Sequence, residues 1–411
     1  MTGRACLAAA LAAVAIAIAL ARPAPAPAAP PAVRAPAAIL VEPATGDVVF
    51  QRQATRERPV ASTTKLMTAL IALEHTKLSR EMTTVSYHGA PAESVIGLRA
   101  GEHMTVADLL RGLLLASAND AAATLAARVG GSQRAFVAMM NSRARQLGLR
   151  HTHYANAIGL DDPGNYSSAE DLVKLTLILR RNEFFRRVID LPRATLKSGA
   201  HPRTILNRNL LVRAVPEVNG VKTGHTSSAG YILVASASKA DVTVISVVLD
   251  EPTEGARDND SLALLRYGLR RYHRFAPVRK GQGFASVKLA HRDERAQLVA
   301  ARTVVRTARR DERIYTRTID VPAELDGPLP AGTRVGTIEV RWRKRTVARV
   351  ALITRTAIGE ASIWQRSDDL LGRTLTVVIL CAVALASLQL VLLRRRAVRR
   401  RRRQAGSSGI A

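Results

Sequence analysis

Ala61-Ser62-Thr63-Thr64-Lys65-Leu66-Met67-Thr68 places a hydroxyl and an amine three residues apart where a helix begins. Leu66, Met67, Leu70, Ile71 and Leu73 follow at a helical rather than an alternating spacing. Three helical residues turn by ~300° and rise by ~4.5 Å, so Ser62 and Lys65 share one face. In a first turn, unpaired N–H groups and the helix dipole favour developing negative charge. A serine there, with a lysine one turn on, can carry acyl transfer without a histidine. Alone, the pair reads more readily as a helix cap followed by a lysine, so the rest of the chain has to decide.

Working toward the N-terminus, Ala38-Ile39-Leu40-Val41 and Val48-Val49-Phe50 flank a turn containing Gly46, which predicts a β-hairpin. Residues 22–36 are rich in Pro and Ala and read as a stiff, disordered linker. Residues 1–21, with Arg4 before an apolar run and Ala19-Leu20-Ala21 at its end, read as a secretory signal peptide.

Working toward the C-terminus, Thr105 caps a helix over 106–115, with Asp108 completing a capping box. Ser117-Ala118-Asn119 lies between that helix and the next, over 121–129. Ser132 and Ser168 cap further helices. Lys222-Thr223-Gly224 then opens a pair of buried-looking strands, Tyr231–Ser238 and Val242–Leu249, before an amphipathic helix over 258–274. This order predicts one α+β domain over 37–274, with an antiparallel sheet that joins the first hairpin to the late strands. From 275 to 354 no helical stripe occurs. Short alternating runs punctuated by Pro and Gly predict a small all-β domain. Residues 355–373 read as a linker. Residues 374–393 hold 20 residues without a charge, enough to span a bilayer core as a helix. The Arg-rich tail over 394–411 marks the cytoplasmic end.

The chain has 411 residues and a formal net charge of +28. Eight arginines lie between Arg394 and Arg403, and the remainder is still about +20. That balance suits an anionic neighbour such as phospholipid or an acidic wall polymer. Nucleic acid is disfavoured, because the arginine tail adjoins the apolar span and has no aromatics for base stacking. The two cysteines, Cys6 and Cys381, both fall in apolar terminal segments, so the middle of the chain has neither a thiol nucleophile nor a Cys metal site. His151 and His153 find no third ligand, and no metal or cofactor is expected.

Ser62-x-x-Lys65, Ser117-Ala118-Asn119 and Lys222-Thr223-Gly224 form a three-part set in order, which resembles that of the serine penicillin-binding proteins and β-lactamases. Gly112-Leu-Leu-Leu-Ala-Ser-Ala-Asn-Asp-Ala121, Asn156-Ala-Ile-Gly-Leu-Asp161 and Val218–Thr226 narrow the resemblance to the low-molecular-mass D-alanyl-D-alanine carboxypeptidases, over roughly 37–354. It implies a β-lactamase/transpeptidase-like domain, an antiparallel sheet with helices on both sides. The small all-β domain and one transmembrane helix follow it.

The resemblance also implies roles. Ser62 would attack the carbonyl of a stem peptide ending in D-Ala-D-Ala and form an acyl-enzyme. Lys65 would be the base, its ordinary value of ~10.4 lowered by burial and by Lys222 beside it. Ser117 would relay a proton to the leaving amine, and Asn119 would hold Lys65 and the substrate amide. Gly224 would let the substrate backbone lie against the strand. The N–H groups of Ser62 and His225 would form an oxyanion hole, about 3–4 kcal/mol per donor. Thr223, Thr226 and Arg208 would bind the terminal carboxylate. Peptidoglycan stem peptides are then the substrate, β-lactams the inhibitors, and the C-terminal span the attachment to the membrane, with the catalytic domain outside the cell. A D,D-endopeptidase is one alternative on the same scaffold. A β-lactamase is another, with Glu170 the nearest candidate for its deacylating carboxylate. A wall-binding protein without catalysis is the third.

Overall fold

The computed structural model describes residues 29–405, with side chains excluded at 364, 367–374 and 400–405. The expected signal peptide over 1–21, the start of the linker and the end of the tail lie outside those residues. The chain divides into two compact units. One comprises residues up to 274 together with 307–312, and the other comprises 275–306 and 313 onward.

The first unit is built on a five-stranded antiparallel sheet. Its strands are β1 (Ala37–Glu42), β2 (Asp47–Arg52), β3 (Val218–Thr226), β4 (Gly230–Lys239) and β5 (Val242–Glu251), in the order β2-β1-β5-β4-β3. The register pairs Leu40 with Ser246 and Lys222 with Val234. The strands are apolar almost throughout because both faces are covered. Ile39, Val41, Ile232, Val234, Ile245 and Val247 pack into one core. Their neighbours Ala38, Leu40, Leu233, Ala235, Val244 and Val248 pack into the other.

On the first face lie α1 (Lys65–His75), α2 (Val106–Arg111), α3 (Asn119–Gly130), α4 (Gln133–Gln146) and α5 (Ala169–Leu179). On the second lies α6 (Glu254–Arg271), which brings Leu264 and Leu265 onto the sheet. Ser132 and Ser168 cap α4 and α5, accepting from Ala135 N and Asp171 N. Thr105 accepts from Asp108 N at 3.2 Å. The Asp108 carboxylate does not close a box. It takes Ser198 Oγ at 2.7 Å and Arg111 Nη1 at 2.6 Å instead.

Three further expectations change. The linker reading fails at its C-terminal end: Val33 and Ala35 are 3% and 0% exposed and belong to the second core. Asp260 accepts the Arg34 and Ala35 amides there, at 2.5 and 3.0 Å. The alternation Val33, Ala35, Ala37 was the signal, hidden by the surrounding Pro and Ala. Residues 307–312 group with the first unit, where Arg309 Nε meets Asp47 Oδ2 at 3.0 Å beside the buried Tyr272. The linker at 355–373 is shorter than expected, because a helix already begins at Ile363.

The second unit carries a six-stranded sheet of β6 (Gly283–Leu289), β7 (Arg295–Ala300), β8 (Tyr315–Ile319), β9 (Glu324–Leu325), β10 (Arg334–Trp342) and β11 (Arg345–Thr354). The order is β8-β10-β11-β7-β6-β9, antiparallel except where β6 meets β9. Val287, Leu298, Ile338, Val340, Val350 and Leu352 form its core. The helix α7 runs from Ile363 to Ala405. Within it Leu375–Arg399 is long and apolar enough to cross a membrane, and none of that window is buried. This fits a membrane anchor.

Candidate active site

Ser62 sits in a single 3₁₀ turn, Ala61–Thr64, that runs directly into α1. The turn is entered through Ala61, whose φ of 44° lies in the left-handed region that a side chain rarely adopts. Thr63 fixes the turn by donating its amide and hydroxyl to Val60 O at 3.0 and 2.6 Å. Two glycines press on it. A Cβ on Gly159 would lie 3.0 Å from Ser62 Cα, and one on Gly224 would lie 3.2 Å from Val60 O and Ala61 Cβ. Gly224 therefore makes room for the turn that carries Ser62. That is a different reason from the expected one, which gave the space to substrate.

Lys65 is fully buried. Its Nζ donates to Ser62 Oγ at 2.9 Å and to Ile158 O at 2.5 Å. Burial pushes its pKa down to about 7, with Glu93 and Asp120 raising it and Arg208 lowering it. Arg208 is a nearby cation that disfavours the protonated form of Lys65, and the buried Lys222 is coupled to it as well. Lys222 is itself buried, and burial followed by Lys65 drives it well below the ordinary lysine value.

The second motif enters through an irregular helix end. A π-helical turn over Gly112–Ala116 finishes at Ser117 with φ 61° and ψ 30°. That places the Ser117 hydroxyl 2.9 Å from Lys222 Nζ, which also donates to Thr223 O at 2.8 Å. Asn119 opens α3. Its amide nitrogen donates to Glu93 Oε2 at 2.7 Å.

The third motif lies on β3, the edge of the sheet, where an extended peptide can add as a further strand. Ser62, Ser117, Thr223, Gly224, His225 and Arg208 line one cleft of about 890 Å³, with Lys65, Lys222 and Asn119 buried behind it. His225 is exposed and stacks on Tyr231, ring centroids 4.0 Å apart. Thr226 is turned elsewhere: its hydroxyl donates to Asp161 Oδ1 at 2.6 Å, and it is not part of the cleft wall. Glu170 also stays outside the cleft, in the first turn of α5, paired with Lys174 at 2.8 Å.

Sequence reasoning missed Glu93 and Tyr87. They lie in an irregular stretch between a short strand over Glu81–Thr83 and another over His103–Thr105, where no periodicity marks a role. It also missed Ile158 O as the second acceptor of Lys65, although Gly159 beside it was a visible marker of close approach.

A family model described as D-alanyl-D-alanine carboxypeptidase matches residues 24–253. The D-alanyl-D-alanine carboxypeptidase DacD of Escherichia coli (strain K12) is 32% identical over 358 residues, 83% of this chain and 91% of that protein. Among solved structures, penicillin binding protein 5 from Haemophilus influenzae matches with a TM-score of 0.59 at 29% identity, covering 81% of this chain and 100% of that one. The Streptomyces K15 DD-transpeptidase matches with a TM-score of 0.56 at 32% identity, covering 59% and 99%.

Proposed function

The chain belongs to the D-alanyl-D-alanine carboxypeptidase family of serine peptidases, and from that premise we propose how its residues divide the work. It is a low-molecular-mass penicillin-binding protein. In the reaction we assign to it, Ser62 Oγ attacks the penultimate carbonyl of a stem peptide ending in D-Ala-D-Ala, and Lys65 Nζ takes the hydroxyl proton. The carbonyl oxygen gathers charge between the N–H groups of Ser62 and His225. The C–N bond then breaks, and the departing D-alanine amine receives a proton from Ser117, replenished by Lys222. The proton taken by Lys65 passes through Ser117 back to Lys222, which leaves Lys65 neutral; water then attacks the acyl-enzyme and gives its proton to Lys65, which hands it to Ser62 Oγ as the ester bond breaks.

Thr223 and Arg208 receive the terminal carboxylate, and the substrate backbone extends along β3. Thr226 supports the end of β3 through Asp161. We place the enzyme in the cell membrane with a single C-terminal span. Residues 1–21 direct export, and the arginines after Leu393 stay on the cytoplasmic side.

The observation that carries this reading is the amine of Lys65 at 2.9 Å from Ser62 Oγ, wholly buried and pushed down to about 7. A lysine in that state can accept a proton near neutral pH.

The test uses the full chain in detergent. It should release D-alanine from a D-Ala-D-Ala pentapeptide, and mass spectrometry after penicillin should find the adduct on Ser62. Turnover and labelling that survive Ser62→Ala would overturn the assignment. Adding glycine as an amine acceptor separates hydrolysis from the transfer reaction named for the Streptomyces relative, and the lifetime of the penicilloyl adduct separates either from a β-lactamase.

A further inference from the structure

Glu93 belongs to none of the three motifs, yet it is the hub of the polar contacts behind them. Its Oε2 accepts from Asn119 Nδ2 at 2.7 Å and from the Tyr87 hydroxyl, and its Oε1 accepts from Ala90 N at 2.9 Å. The segment that carries it is tied to the second motif at three more points. Asn119 N donates to Ser94 O at 2.7 Å. Asp120 takes Ile96 N at 3.1 Å and Leu98 N at 3.0 Å. Ser94, Val95 and Ile96 are themselves part of the cleft wall. One carboxylate therefore joins the wall, the Asn119 amide and the charge environment of the base.

We propose that Glu93 is a positioning residue of the peptidase: it orients the Asn119 side chain and places a negative charge in the polar cluster behind Ser62 and Lys65. The inference rests on the assignment of Ser62 and Lys65 made above.

The charges around Lys65 come from every element packed on it. Asp120 at the start of α3 and Glu93 favour its protonated form. Arg208 disfavours it, and Lys222 from β3 shares the same buried space. Glu93 ranks first among them. Burial pushes Glu93 up, but the Tyr87 hydroxyl, the Ala90 amide, the Asn119 amide and Lys65 hold it below the usual carboxylate range. It is therefore ionised at neutral pH. Its partner Tyr87 is raised to about 12 by burial and by this carboxylate, so that hydroxyl stays a donor.

The charge and the hydrogen bonding can be separated. Glu93→Gln keeps an oxygen for Asn119 and removes the charge, while Glu93→Leu removes both. The readout is the second-order rate of acylation by fluorescent penicillin across about pH 5 to 9, on full-length protein in detergent, where the acid limb reports the base. In Glu93→Gln the limb should move to lower pH by about half a unit to one unit, because a negative neighbour has been lost. In Glu93→Leu it should move equally, and the plateau should fall about tenfold further as Asn119 loses its acceptor. Glu93→Asp should bring the limb back toward wild type. A limb that stays at the wild-type pH in Glu93→Gln overturns the inference, and that variant decides the matter even if Glu93→Leu fails to fold. Wild-type protein that takes up no label overturns instead the peptidase assignment beneath it.

Discussion

Gly159 stands so close to Ala61 that a β-carbon on it would lie 2.1 Å from the Ala61 carbonyl oxygen and 2.6 Å from the carbonyl carbon. Gly159 also has φ 91°, and its neighbour Ile158 accepts from Lys65. The loop over 156–160 thus holds both the Ser62 turn and the Lys65 amine. Gly159→Ala meets backbone, which cannot swing aside, and a backbone angle that disfavours any side chain. We expect a loss of about 3 kcal/mol in urea unfolding and at least about a hundredfold slower penicillin acylation. A variant as stable and as fast as wild type would show that this loop does not constrain Ser62.

With Lys65 pushed down to about 7, the amine is neutral above that pH and protonated below it. Acylation should therefore rise about tenfold per unit up to the neighbourhood of pH 7 and level off above it. Removing Arg208 removes a cation that disfavours protonation, so Arg208→Ala should move the acid limb to higher pH. The direction is opposite to that expected for Glu93→Gln. The same variant should raise KM for D-Ala-D-Ala peptides about tenfold, because the cleft loses a cation facing the carboxylate. Stopped-flow acylation and steady-state D-alanine release measure the two effects separately.

Thr223 and Thr226 are three residues apart on β3 and so point to opposite faces of the strand, and only Thr223 lines the cleft. Thr223→Val should raise KM by about tenfold. Thr226→Val should leave KM within about twofold and act on stability, since it breaks the bond to Asp161 that ties residues 156–164 to the end of β3. Equal effects of the two on KM would return Thr226 to the carboxylate site.

Beneath one wall of the cleft Arg203 and Glu102 form an ion pair at 2.7 Å, with side chains 7% and 3% exposed. Burial pushes Glu102 up, but the Ala200 and Arg99 amides and Arg203 hold it below the usual carboxylate range. A carboxyl depressed in the fold contributes stability above its unfolded value of ~4.3, and that contribution is lost as pH falls through the folded value. Arg203→Met leaves the carboxylate buried without its cation. It should cost about 3 kcal/mol at pH 7 and less at pH 4, measured by urea titration at both.

The fold was legible in the chain because its core strands are apolar on both faces and its helices carry clear caps, such as Ser132 and Ser168. The candidate site was legible because Ser62, Lys65, Ser117, Asn119 and Lys222 occur in short motifs that the fold brings together, Lys65 Nζ onto Ser62 Oγ and Lys222 Nζ onto the Ser117 hydroxyl. Other features depend on contacts between distant segments. Glu93 reaches Asn119 across 26 residues of sequence and Lys65 reaches Ile158 across 93. Val33 and Ala35 looked like linker because a buried alanine and a solvated one are the same letter. Gly224 was recognised as a close approach, but only the folded chain tells that the approaching group is Val60 and Ala61.

The helix α7 has 43 residues, ~65 Å if straight, about twice the thickness of a bilayer core. Under the topology proposed above, such an anchor does not come off and rebind. The enzyme then searches for substrate over a plane instead of through a volume. What limits it is how often a stem peptide passes within reach of the membrane surface. Cutting the chain after residue 362 would release a protein with the same chemistry facing a different encounter problem, and its rate on a soluble pentapeptide would say nothing about its rate on the wall.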